Sequence, residues 1–123
     1  MSLAWSISHP RRLIVVVAKG ELEHRDIALL LQSIDSAKAS GYRKLVDITG
    51  LTASPRSRLL REIAGIVRQR ESERVVGPIA IVAKAGASLR QANAFANRAQ
   101  VERLIHTFAD KAEARRWLDS FYA

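Results

Sequence analysis

The chain has 123 residues, a length for one domain, with 48% apolar and 26% charged residues, ordinary for a globular protein that buries roughly two-thirds of its unfolded surface. It has no cysteine, which excludes disulfides, thiol catalysis and thiolate metal sites; no apolar run nears the ~20 residues of a membrane span, and Met1-Ser2-Leu3 does not open a signal peptide, so a bacterial cytoplasm is the expected setting. The formal charge of +8 is uneven: residues 51–123 carry 13 basic against 7 acidic side chains, residues 1–50 only 7 against 5, an excess that speeds encounters with acidic partners without choosing among them.

In chain order, "WSIS" alternates Trp5 and Ile7 with serines, the pattern of a half-buried strand. His9-Pro10 offers a turn. "RLIVVVAKG" is a continuous run rich in β-branched residues, which reads as a strand covered on both faces and ended by Gly20. "LEHRDIALLLQSIDSAKASGY" is helical, since Ile27, Leu30, Leu31 and Ile34 recur on one stripe, with Gly41 as its expected stop. "KLVDI" is a third strand. A second helix is expected from Arg56 to about Glu73, with Leu59, Leu60, Ile63, Ile66 and Val67 on one face.

"GPIAIVA" is a fourth, wholly apolar strand. A third helix follows from about Ala87 to Gln100, lined by Leu89, Ala92, Ala96 and Ala99. "RLIHTFA" is a fifth strand, whose alternation suits a sheet edge. "DKAEARRWLDSFY" is a last helix. Asp110 is its expected N-cap, with Glu113 completing a capping box. Ala114, Trp117, Leu118 and Phe121 form its inner stripe. Strands joined through helices imply a five-stranded mixed, mainly parallel α/β sheet with four helices and right-handed crossovers, in one domain over residues 1–123. The opening strand pair is expected to be antiparallel.

Two segments carry a family resemblance. "VVVAKGELEHRDIALLLQSI" resembles the second strand, Gly-x-Leu-Asp turn and first helix of the STAS domains, the SpoIIAA-like fold of anti-sigma factor antagonists, with Gly20, Leu22 and Glu23 in those places. "KLVDITGLT" resembles the family's third strand and the segment after it, with Asp47, Thr49, Gly50 and Leu51 in register. "IHTFADKAEARRWL" is similar to the C-terminus of variant SpoIIAA-like proteins. STAS switch proteins continue with Asp-Ser-Ser-Gly, where a serine is phosphorylated. That segment falls here on Pro55-Arg56-Ser57-Arg58, and only Ser57 matches. The resemblance therefore implies a regulatory module without the standard phospho-switch, with Ser57 as its one candidate phosphorylation site.

The residues themselves supply no catalytic constellation. Asp47 stands at a strand end with no second acid, base or metal partner identifiable in the sequence, so a hydrogen bond that steadies the loop is its expected role. His9, His24 and His106 are scattered and match no metal-ligand spacing. No metal and no cofactor is expected. Ser54-Pro55 reads as a helix cap followed by a first-turn proline, a place where free backbone N–H groups favour anions. Trp5 and Trp117 read as packing residues.

The leading expectation is a non-enzymatic protein-interaction module. Its partner-binding surface would comprise Thr52, Ser54, Arg56, Ser57, Arg58 and Arg61, with an acidic regulatory protein as partner. The alternative is a binder of a small anionic or lipid-like ligand, which a closed apolar pocket between sheet and helices would favour. A nucleic-acid binder is the weakest reading, because only 6% of residues are aromatic and base-stacking platforms need more.

Overall fold

A computed structural model of the chain describes residues 3–52, 61–66, 68–69, 77–99 and 105–122. Five strands, β1 (Leu3–Ser8), β2 (Leu13–Gly20), β3 (Arg43–Leu51), β4 (Ile79–Val82) and β5 (Ile105–Phe108), form one sheet in the order β1-β2-β3-β4-β5. β1 runs antiparallel to β2, and every other pair is parallel. The helices are α1 (His24–Ser36), α2, of which residues 61–66 and 68–69 are described, α3 (Ala87–Ala99) and α4 (Lys111–Asp119).

The strand order decides where the helices lie. From β2 to β5 each crossover moves one strand in the same direction, so right-handed connections put α1, α2 and α3 on one face. Only α4, which follows the last strand, covers the other face.

Side-chain periodicity follows from this. On β2, Ile14, Val16 and Ala18 point toward α1, and Leu13 and Val15 toward α4. On β3, Leu45 is fully buried under α4 while Val46 and Ile48 face the three-helix side. The central strands therefore have to be apolar at consecutive positions. β1 and β5 are edges. On β1 only Leu3, Trp5 and Ile7 pack on the core, and the alternating serines result.

Two local details correct the sequence reading. α1 does not run on to Gly41. It ends at Ser36, and Lys38 takes the left-handed conformation with φ of 54°. The Ala39 amide donates to Ile34 O and the Lys38 amide to Asp35 O, both at 3.0 Å. This is the Schellman arrangement, with a lysine where glycine is usual. Phe121 is not an inner residue. It is 43% exposed and meets Trp117 edge-on with ring centroids 5.0 Å apart.

The expected cap of α4 is present: Asp110 Oδ1 accepts from the Ala112 amide at 2.9 Å. Trp117 is half-buried at the sheet rim, where it stacks on His106 at 4.6 Å and tilts against Phe108 at 5.8 Å. No helix among the described residues is long and apolar enough to cross a membrane.

Candidate functional site

The three-helix side of the sheet is not fully closed by its own side chains. Val16 and Ala18 of β2, Val46 and Ile48 of β3, and Ile79 and Ile81 of β4 make an aliphatic floor. Ile27, Leu30, Leu31 and Ile34 of α1 form one wall, Ile63 and Ile66 of α2 the roof, and Ala92 and Phe95 of α3 the far wall. Between them lies a cavity of about 220 Å³.

The local sequence explains the space. Ala18 on the floor and Ala92 on the far wall are both buried. At either position a larger apolar side chain would occupy the volume that the alanine methyl leaves. Interiors are otherwise packed like organic crystals, with few voids larger than a water molecule.

Polar groups are few and peripheral: Ser40, Lys44, Ser88 and Gln91. Lys44 is only 9% exposed. Its amine donates to Ser40 O at 2.7 Å and Tyr42 O at 2.8 Å, so a buried cation is held by carbonyl oxygens. Among the described residues this half-open space offers almost wholly apolar contact. A second, outer groove runs between α1 and α2, lined by His24, Ala28, Gln32, Asp35 and Ser36 together with Ile27, Leu31, Ile63 and Ile66 of the cavity wall.

The residues singled out from sequence fall elsewhere. Thr52 is exposed just after β3, with its amide donating to Gly20 O at 2.9 Å. Arg61 is exposed on α2. Ser54, Arg56, Ser57 and Arg58 lie outside the described residues. The three histidines stay apart: His9 Nδ1 meets the Tyr42 hydroxyl at 2.6 Å, His24 Nε2 lies 3.6 Å from Glu62, and His106 stacks on Trp117. No cluster of metal-ligating side chains occurs among the described residues.

Asp47 has the local role expected of it. Its Oδ1 accepts from the Thr49 amide at 2.9 Å and from the Thr49 hydroxyl at 2.6 Å, and Lys111 stands 3.8 Å from Oδ2. The turn sits where Val17 pairs with Asp47 but Lys19 with Gly50, so β3 carries one extra residue in a bulge. Partial burial acts to raise the Asp47 pKa. The Thr49 hydroxyl, the Thr49 amide and Lys111 together outweigh it and hold the carboxyl below its ordinary value.

A depressed folded-state pKa stabilises the fold above the unfolded value of about 4, and the benefit disappears as pH falls through the lower folded value. Asp47→Asn should therefore be less stable than wild type at neutral pH, with the gap closing in strong acid. Urea midpoints measured across that range check this, and a gap independent of pH would contradict it.

No family model and no curated protein matches the chain. Among solved structures it is similar to an uncharacterized DUF3478-family protein with a SpoIIAA-like fold from Shewanella loihica PV-4. The TM-score is 0.69 at 21% identity, over 95% of this chain and 93% of that one. The fold is thus the α/β, SpoIIAA-like architecture that the sequence segments resemble. Phe95 and the two alanines that shape the cavity have no counterpart in any motif. Only their convergence on one cavity reveals them.

Proposed function

We propose that this chain is a non-enzymatic binding module for a small apolar ligand seated between the sheet and helices α1–α3. The observation that carries the proposal is the 220 Å³ aliphatic cavity. Apolar side chains that face unfilled space lose packing contacts on that side, which costs the fold stability. The net stability of a small domain is only roughly 5–15 kcal/mol. A ligand that fills the space recovers part of that cost. An engineered cavity of about 150 Å³ accepts benzene, so this one suits a single ring with substituents or a short alkyl chain.

The test is a titration with butylbenzene, a single ring with a short alkyl chain, read as a raised thermal midpoint and as shifted methyl signals in NMR spectra. Wild type should bind saturably, with a midpoint that rises with ligand concentration. Ala92→Phe, which fills the cavity from α3, should lose binding while remaining folded. Ala18→Leu serves as a second filling variant. Undiminished binding by both folded variants would sink the proposal.

A second reading, a regulatory protein-interaction module, is supported by the SpoIIAA-like fold and by the exposure of Thr52 and Arg61. Its partner would be an acidic protein, attracted by the positive charge of the chain. Arg61→Glu should then weaken capture of that partner severalfold, and more at low salt than at high salt. Equal capture at every ionic strength would remove Arg61 from the interface. The two readings are compatible, because the cavity lies inside and Arg61 outside.

A further inference from the structure

Two residues hold a backbone conformation that their side chains disfavour. Arg12 has φ of 50° and Lys38 of 54°, and no other non-glycine residue among those described has a positive φ. A side chain crowds the backbone there and glycine does not. Both positions nevertheless carry a long basic side chain. Strain of this kind persists where the side chain itself is put to use.

The two residues share one end of the sheet, where β2 and β3 begin. His9 Nδ1 in the β1–β2 turn meets the Tyr42 hydroxyl at 2.6 Å. Arg12 O accepts from the Arg43 amide at 3.0 Å, and Arg11 O from Arg43 Nη2 at 2.7 Å. The Tyr42 amide donates to Ala39 O at 3.0 Å, which holds the residues after Lys38 against the start of β3. Arg11, Arg12 and Lys38 are exposed on this tied-down surface. None of the three forms an ion pair among the described residues. Of the acids at this end, Asp119 is paired with Arg43, and Asp35 has a partner other than these three.

We propose that this end of the sheet is a docking surface for an acidic protein segment, with Arg11, Arg12 and Lys38 as its charged contacts. The proposal deepens the reading in which the partner is an acidic protein, and it does not depend on Arg61. That residue belongs to the other end, since its neighbour Glu62 lies 3.6 Å from His24, the first residue of α1. Three cations are few for a nucleic-acid backbone, where roughly six to ten phosphate contacts are usual for tight, salt-sensitive binding. Tyr42 is half-buried and stands edge-on to His9, so it offers no open face to a base.

A net charge of +8 attracts any anion at long range, so the test compares charge reversals of equal size at different places. The probe is a fluorescein-labelled oligoglutamate peptide, followed by anisotropy at low salt. Arg12→Glu combined with Lys38→Glu should weaken binding severalfold more than Lys84→Glu combined with Arg90→Glu, which reverses two exposed cations elsewhere. Arg12→Gly and Lys38→Gly should each melt higher than wild type, because glycine accepts the left-handed conformation, and should each bind the peptide more weakly. Equal losses in the two double variants, or glycine variants that bind as wild type does, would overturn the surface assignment while leaving the acidic-partner reading intact. Glycine variants that melt no higher would remove the strain on which the assignment rests and overturn it as well. A labelled oligothymidylate bound more tightly than the peptide, and lost in the Arg12 and Lys38 variants, would overturn the protein partner in favour of nucleic acid. No binding of the peptide by wild type would overturn both the surface and the acidic-partner reading.

Discussion

Replacing Gly77 by alanine should destabilise the fold by about 3 kcal/mol or more, lowering the thermal midpoint by roughly 10 °C. The cause is a close approach of two backbones. Gly77 precedes β4, and its amide donates to Ser40 O at 3.0 Å. The Lys44 amide donates to Pro78 O at 2.8 Å, and the Lys44 amine reaches Ser40 O and Tyr42 O. The segment 40–44 is thereby tied to the start of β4. A Cβ on Gly77 would collide with the Tyr42 carbonyl oxygen and come within 2.5 Å of Gly41 O. No flexible side chain is available to yield, so one backbone must move and these hydrogen bonds must lengthen. Circular dichroism melts of wild type and Gly77→Ala check this. A midpoint within a degree or two of wild type would show that the crossing has slack.

Arg43→Met should cost about 2–3 kcal/mol, and Arg43→Lys should recover little of it. Arg43 opens β3 and is only 7% exposed. Its Nη2 donates to Arg11 O at 2.7 Å, and its Nη1 to Leu118 O at 3.3 Å and Asp119 Oδ1 at 3.1 Å. One planar group thus joins the β1–β2 turn, β3 and the C-terminal end of α4, where a cation also suits the helix dipole. Lysine has no fork to reach both sides. The carboxylate partner matters less than the carbonyls, because Asp119 is 68% exposed and exposed ion pairs are worth ~0–1 kcal/mol. Asp119→Ala should therefore be nearly neutral. Urea denaturation of the three variants separates these effects. An Asp119→Ala loss as large as that of Arg43→Met would mean that the ion pair dominates.

The strands were legible because their burial is written residue by residue. "LIVVVA" and "IAIVA" are apolar at consecutive positions, as central strands under helices on both sides must be, and "WSIS" alternates, as an edge must. Asp110 was legible as a cap because a carboxylate before a helical stripe has one common use. The end of α1 was not. Gly41 is the residue that usually stops a helix, but the stop here is fixed by the hydrogen bonds of Lys38 and Ala39 to the last turn, which a lysine accepts at a modest conformational cost.

The cavity was invisible for a different reason. Periodicity shows which side chains point inward, not whether their summed volumes fill the space between layers. Ala18 and Ala92 read simply as small core residues. The buried state of Lys44 was equally hidden, since a lysine on a strand reads as solvated until the carbonyls of Ser40 and Tyr42 are seen around its amine. Of the surface expected from sequence, Thr52 and Arg61 are exposed, and Ser54, Arg56, Ser57 and Arg58 lie outside the described residues. The apolar site lies beneath the helices, where the motif comparison does not point.

The most direct measurement of ligand binding between sheet and helices is methyl-selective NMR of the isoleucines with octanol present. Ile27, Ile63 and Ile81 line the cavity from α1, α2 and β4, whereas Ile7 lies on the edge strand away from it. Intermolecular Overhauser contacts should run from the octanol chain to the methyls of Ile27, Ile63 and Ile81, and Ile7 should show none. Contacts confined to surface methyls, with Ile63 and Ile81 unaffected at saturation, would contradict the assignment of the cavity as a binding site.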